Sequence, residues 1–337
     1  MVQFFLLIVV LLTSARVWGN EGAYYRDNQI LYDLDRFSFN QVIAAADQAW
    51  AVIAIKPGQF SGSMIQGRFN PRSGKAEMLA DGDKMVWVEE AICKVRAWLT
   101  GKPADLEYDV LREFQPDFYQ REKVGSAVRY SAFRQGGVVI ACVNLNHQNT
   151  NPAKFHPVYL IPPDWEAAVK PALDFFHENQ ELFEVKDATI NRVRLAALLG
   201  GDNPLLASIA CRVLAKASVL NHDQFVEVDL LKARGIRQAV FVRYALLSSV
   251  ATQRSGIIQK LHQLTTSAVS KEELRPLALG IAYFASEAEA GETKQACLSL
   301  LGHLQAKHGQ LSTTAKSDPY VLAALQAASY WFTSSPY

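Results

Sequence analysis

The stretch Trp87 to Pro103, WVEEAICKVRAWLTGKP, can be read two ways, and the choice sets the architecture of the front half of the chain. As a helix, Val88, Ala91, Ile92, Val95, Trp98 and Leu99 share one face at a spacing of about 3.6 residues, with Glu89 and Glu90 early and Lys102 late, where the helix dipole favours them. As a strand, Trp87, Ala91, Cys93, Val95, Ala97 and Leu99 point one way with Glu89 the only charge among them, while Glu90, Lys94 and Arg96 point mostly the other way. Periodicity alone slightly favours the helix, but context decides for the strand. The flanking runs Trp50 to Ile55 (WAVIAI) and Gly137 to Leu145 (GVVIACVNL) are short, rich in Val and Ile, and bounded by turn residues. A lone helix between them would interrupt a sheet.

The other front-half segments follow from that choice. Asn20 to Gln48 is polar and aromatic, and its Asp33-Leu34-Asp35 carboxylates are expected to be solvated on an amphipathic turn. Lys56-Pro57-Gly58 is expected to end the first strand in a turn. Ser61 and Ser63 lie among glycines but not in a G-x-S-x-G elbow, so no nucleophile is expected there. Asp81-Gly82-Asp83 leads into the pivotal stretch and Gly101-Lys102-Pro103 closes it. A weaker strand is expected within Leu106 to Phe118. A hairpin should join Val128–Phe133 to Val138–Leu145 through Arg134-Gln135-Gly136-Gly137, and a last strand runs from His156 to Ile161.

This order of pieces resembles a domain of exported bacterial proteins, a small antiparallel β-barrel of the OB-fold or netrin-like type. The resemblance rests on Gln48-Ala49-Trp50-Ala51-Val52, on Leu99-Thr100-Gly101-Lys102, and on Gly125, Arg129, Tyr130 and Phe133, and it covers about Asp47 to Asn146. Relatives of that type that inhibit metalloproteinases cap a zinc with an amino-terminal Cys. Here no Cys precedes Cys93, so that mechanism does not carry over.

Beyond Pro163 the texture changes to Ala- and Leu-rich helical periodicity. Helices are expected over Trp165–Glu181, Ala188–Leu199, Pro204–Val219, Gln224–Ala233, Ile236–Thr252, Ile257–Thr265, Glu272–Ala288, Thr293–Lys307 and Tyr320–Phe332. Asp202-Asn203-Pro204 and Asp318-Pro319 open two similar runs, and the rhythm of about 35 to 45 residues resembles that of HEAT-like helix pairs. An irregular helical bundle is the competing arrangement. The expected class is therefore α+β, with residues 1–19 a signal peptide, 20–163 the barrel and 164–337 the helical repeats.

The signal peptide is read from the apolar run Phe4 to Leu12 and from Val17-Trp18-Gly19 at the cleavage positions. It places the chain outside the cytoplasm, periplasmic or extracellular, with no membrane span after cleavage. In such a compartment Cys93 with Cys142 and Cys211 with Cys297 would form one bridge per domain. The alternative, four buried thiols, stays open. A net charge of +1 argues against a nucleic-acid binder, and no Cys/His cluster has zinc-site spacing.

Two features bear on function. The loop Asn144 to Pro152 (NLNHQNTNP) concentrates hydrogen-bonding groups, with Asn146, His147 and Asn149 as candidate binding residues, although Asn also favours ordinary turns. From Leu230 to Ser270 there is no acidic residue, while Lys232, Arg234, Arg237, Arg243, Arg254 and Lys260 are basic. Stacked helices would gather these onto one surface for an anionic partner, or for the acid-rich segment Glu77 to Glu122 of the same chain. The expectation is a non-catalytic binding or scaffold protein without cofactor or metal, whose helical surface engages a protein or an anionic envelope polymer. The alternative is a hydrolase or carbohydrate-acting enzyme at the barrel loops, using His147 or His156 with Asp117 or Asp164.

Overall fold

The computed structural model describes residues 23–24, 26–44, 49–66, 68–70, 75–77, 85–100, 110–116, 136–144, 154–217, 233–248, 251–285, 292–313 and 317–333. The class is α+β. The chain divides into two compact units, one of residues Tyr32–His177 and one that joins the residues up to Leu31 with those from Glu178 onward. The division thus falls after His177 and not at Pro163.

The sheet unit begins with the end of helix α1 (residues 26–36) and helix α2 (Phe39–Ala44). Its strands are β1 (Ala49–Gln66), β2 (Arg68–Asn70), β3 (Lys75–Glu77), β4 (Met85–Thr100), β5 (Val110–Pro116), β6 (Gly137–Asn144) and β7 (Lys154–Ile161), followed by a 3-10 turn at Pro163–Trp165 and helix α3 (Glu166–Glu178). Five strands form one antiparallel sheet in the order β5-β4-β1-β6-β7, and β2 pairs only with β3. The pivotal stretch is extended, as its context required: β4 pairs along β1 from Trp50↔Thr100 to Gln66↔Met85.

Between β4 and β6, the Trp50 to Ile55 part of β1 is paired on both edges, and every one of its residues except Ala54 is buried. That explains a continuous apolar run where a half-exposed strand would alternate. The expected turn at Lys56-Pro57-Gly58 is a bulge instead. Ile55 opposes Cys93 and Phe60 opposes Ala91, so the four residues between them on β1 face Ile92 alone. Inserting residues on one side lets a proline that cannot donate to the ladder stay within a strand. The expected strand Val128–Phe133 and the turn at Asp81 lie outside the described residues.

Aromatic rings cover this unit's core. Phe37 meets Phe39 and Tyr159 edge-on at centroid separations of 4.8 and 5.2 Å, and Phe39 lies 4.8 Å from Phe176 of α3. The last contact is why α3, expected with the helical half, belongs to the sheet unit.

The helical unit carries 3-10 turns at Gln180–Phe183 and Val185–Asp187, then α4 (Arg192–Leu199), α5 (Pro204–Lys216), α6 (Gly235–Ser248), α7 (Ala251–Ser267), α8 (Lys271–Ala285), α9 (Glu292–Ser312) and α10 (Pro319–Thr333). The expected helix Gln224–Ala233 lies almost entirely outside the described residues. Asn203 starts α5 by accepting the Leu205 and Leu206 amides at 3.1 Å, with Pro204 in the first helical position, where its missing N–H costs nothing. Helices α5, α6, α8 and α10 pack in succession, and α7 packs on α9, which also touches α8 and α10. Gln238 to Leu246 of α6 and Pro276 to Ala285 of α8 are buried without a break, as expected of helices apolar all round at the centre of a domain. No described helix is long and apolar enough to cross a membrane.

Candidate functional site

The most developed polar constellation lies where the amino-terminal helix meets the start of α10, within the helical unit. Asp318 precedes Pro319 and caps α10: its Oδ1 accepts the Tyr320 amide at 2.9 Å. Its Oδ2 receives Arg275 through Nε at 2.9 Å and through a second guanidinium nitrogen at 2.8 Å, both converging on that one oxygen as charge-assisted hydrogen bonds. The Asp318 amide donates to His308 Nε2 at 3.1 Å, so that nitrogen is unprotonated and the proton of neutral His308 is on Nδ1. The Tyr320 hydroxyl donates to Asp27 at 3.0 Å, and Asp27 also pairs with Arg26. Arg275 lies over the Tyr320 ring at 5.4 Å, and Tyr24 meets that ring edge-on at 5.7 Å.

Burial dominates the titration of these groups. It raises the Asp27 carboxyl above its ordinary value, against the pull of Arg26 and Arg275. It also raises the Tyr320 hydroxyl well above the ordinary tyrosine value, with the Asp27 charge adding to the effect. His308 is pushed below the usual imidazole value by burial, against the attraction of Asp318. A tyrosine this hard to ionise, with its O–H donated to a carboxylate, and a histidine lone pair occupied by an amide, make a locked cap. They fasten Tyr24, Asp27 and α8 to the first turn of α10. They do not make an acid/base pair able to reach a substrate.

The expected basic surface is corrected in part. Arg237 is half-buried and donates to the carbonyls of Leu199 and Gly201 at 2.6 and 2.9 Å, closing the end of α4. Arg243 is 4% exposed and stacks over the Tyr244 and Tyr283 rings at 4.6 and 4.3 Å. Neither presents its charge on an open surface. Arg234 is exposed and Lys260 half-exposed. Lys232 lies outside the described residues, and the side chain of Arg254 is among those not described. The signal in the sequence was the run AVFVRYALL, whose apolar residues surround Arg243 on every side of a helix.

Asn146, His147 and Asn149, with Asp117, lie outside the described residues. His156 is in β7 without a described side chain, and Asp164 is exposed in the 3-10 turn before α3. Asp33, expected in solvent, is 4% exposed, and its carboxylate accepts the Leu160 amide at 2.9 Å. Of the two cysteine readings, the bridged one is corrected and the buried-thiol alternative holds for three residues. Cys142, Cys211 and Cys297 are buried thiols, so Cys211 and Cys297 are not bridged. Cys93 stands opposite Ile55 on one edge of β1 and Cys142 opposite Trp50 on the other. Two strand spacings and several residues along the strand separate them by roughly 20 Å, against the ~7 Å limit for a disulfide.

The outer side of α10 was not singled out from the sequence. Its inner face packs on α8 and α9, yet Leu322, Tyr330 and Trp331 are 41%, 60% and 37% exposed. The Tyr330 and Trp331 rings meet edge-on at 5.4 Å. The helix carries no charged residue between Pro319 and Thr333. Among the described residues no group of three or more His, Cys, Asp or Glu is arranged to hold a metal ion. No protein-family model, curated protein or solved structure matches this chain.

Proposed function

We propose that this chain is an exported, non-catalytic binding protein whose helical unit engages another protein through the outer face of α10. The carrying observation is that an uncharged terminal helix keeps Leu322, Tyr330 and Trp331 exposed while its other face packs inside the unit. Tyr and Trp bury a large area on association at little conformational cost, and both are enriched where binding energy concentrates. The anionic-polymer reading has less support, because Arg237 and Arg243 are committed inside the unit.

The finer architecture belongs to the same proposal. A HEAT-like arrangement is supported by two rows of helices, α6-α8-α10 and α7-α9, in which alternate helices stack. An OB-type barrel is supported by the strand order β5-β4-β1-β6-β7 and by residues of β5 and β7 lying within 8 Å of each other, Cα to Cα. The described ladder itself is an open sheet, so closure is the step this reading adds. Export is inferred from the apolar run Phe4 to Leu12.

The test compares the wild-type chain with a Tyr330→Glu, Trp331→Glu variant in capture from an envelope extract. A protein retained by the first and lost by the second, with unchanged circular dichroism, supports the proposal. Retention of the same proteins by both overturns it. Binding to an anionic polysaccharide that falls steeply with salt and survives in the variant would favour the polymer instead.

A further inference from the structure

His262 on α7 and His303 on α9 meet near the surface, each half-exposed, with ring centroids 4.9 Å apart and ring planes at 62°. Thr266, one turn beyond His262, fixes the second ring. Its hydroxyl donates to the His262 carbonyl at 2.8 Å, so the contact between Oγ1 and His303 Nε2 at 3.0 Å is one in which the ring N–H donates. In neutral His303 the lone pair is therefore on Nδ1. A hydroxyl holding the distal N–H of an imidazole is the kind of partner that orients metal-bound histidines.

The spacing fits a shared ion. Two imidazoles bound to one metal at about 2.0–2.1 Å, at a near-tetrahedral angle, hold their ring centres roughly 5 Å apart. Imidazole nitrogen is the donor that late first-row divalent cations prefer over magnesium or calcium. Lys307, one turn beyond His303, donates its ammonium to the Thr266 carbonyl at 2.9 Å. Its charge works against a cation at the pair and sets the affinity below that of a closed structural site.

We propose that His262 and His303 form a two-histidine surface site for a zinc-, nickel- or copper(II)-like ion, with Thr266 as the positioning residue for His303 and water completing the coordination. The site goes beyond the partner-binding face on α10 and does not depend on it. A bound ion would join α7 to α9 directly.

The experiment is calorimetric titration of the full chain with zinc chloride and with nickel chloride near pH 7.5, alongside His262→Gln, His303→Gln and Thr266→Val. His177→Gln, an exposed histidine on α3, serves as the control. The expected result is an equivalent of metal bound by the wild type and the control and lost in both histidine variants. Thr266→Val should weaken it roughly tenfold. Metal should also raise the melting temperature of the wild type and of neither histidine variant. No uptake by the wild type, or uptake unchanged in both histidine variants, overturns the site. Unchanged affinity in Thr266→Val overturns the positioning role.

Discussion

The Asp33 carboxylate accepts the Leu160 amide at 2.9 Å across 127 positions of sequence. Leu160 pairs with Val139 on the last strand of the ladder, and its N–H is bonded to this carboxylate. An edge strand with open amides is a template for unwanted pairing, and a buried carboxylate that accepts one closes part of it. Asp33→Ala should therefore destabilise the sheet unit by about 1–3 kcal/mol, the usual range for stranding a buried donor. Asp33→Asn, which keeps an acceptor, should cost less. Urea unfolding followed by tryptophan fluorescence measures both, and equal stability of wild type and the alanine variant would remove the role.

Gly280 lies where α8 crosses α6. A Cβ there would stand 2.7 Å from the Ala239 carbonyl oxygen and 2.8 Å from the Val242 Cβ, neither of which can swing aside. Gly280→Ala is expected to cost about 1–3 kcal/mol through overpacking. Gly302 on α9 is exposed with nothing within 4 Å of its added Cβ, so Gly302→Ala should instead gain about 0.5–1 kcal/mol from helix propensity. Opposite signs in thermal melts are the expected outcome. A neutral Gly280→Ala would mean that the two helices separate more easily than their contact implies.

Local signals carried the elements, and tertiary ones carried the site. The strand from Trp87 to Thr100 was legible because the flanking apolar runs needed a neighbour, and the helices after Pro163 because apolar periodicity, Asn203-Pro204 and Asp318-Pro319 mark them within the sequence itself. Asp33 was not legible. A carboxylate beside Asp35 looks solvated until β7, distant in sequence, brings an unpaired amide to it. Arg237 and Arg243 misled for a related reason: a basic stretch suggests a charged surface, but a guanidinium can be consumed by carbonyls at a helix end or by two aromatic faces. The bulge at Lys56-Pro57-Gly58 shows the same limit, since only the register against β4 separates a strand with extra residues from a turn.

Burial pushes the Cys142 thiol up to about 11 and raises that of Cys211 further, leaving almost no thiolate at neutral pH. In the folded chain Cys142, Cys211 and Cys297 should resist a disulfide reagent such as dithionitrobenzoate, and in guanidinium all should react. Dithiothreitol should leave the melting temperature unchanged. A drop on reduction would mean that a bridge contributes after all.

Asp27 gives a pH dependence of one sign. Its folded-state carboxyl titrates above the ordinary value of 3.8 because burial disfavours its charge. Between those two values the folded chain binds more protons than the unfolded one, so acidification through that window stabilises the fold. Asp27→Asn removes this contribution. The stability of the wild type relative to the variant should therefore rise as the pH falls from about 7 to about 4, read by urea midpoints. A difference that stays flat would place the Asp27 carboxyl in ordinary solvent contact.

His308 gives the opposite sign. Its Nε2 must stay unprotonated to accept the Asp318 amide, and burial holds it below the ordinary value of 6.5. The unfolded chain then takes up its proton first as the pH falls, so stability is present above about pH 6.5 and is lost as the pH falls towards the folded-state value. Protonation would also turn an acceptor into a second donor facing the amide that starts α10, loosening the cap on which Tyr320 and Arg275 converge. His308→Gln leaves an acceptor that does not titrate in this range. The wild type should thus lose stability between about pH 7.5 and about pH 5 faster than His308→Gln does. Parallel losses in the two chains would show that the amide is held by something other than this ring.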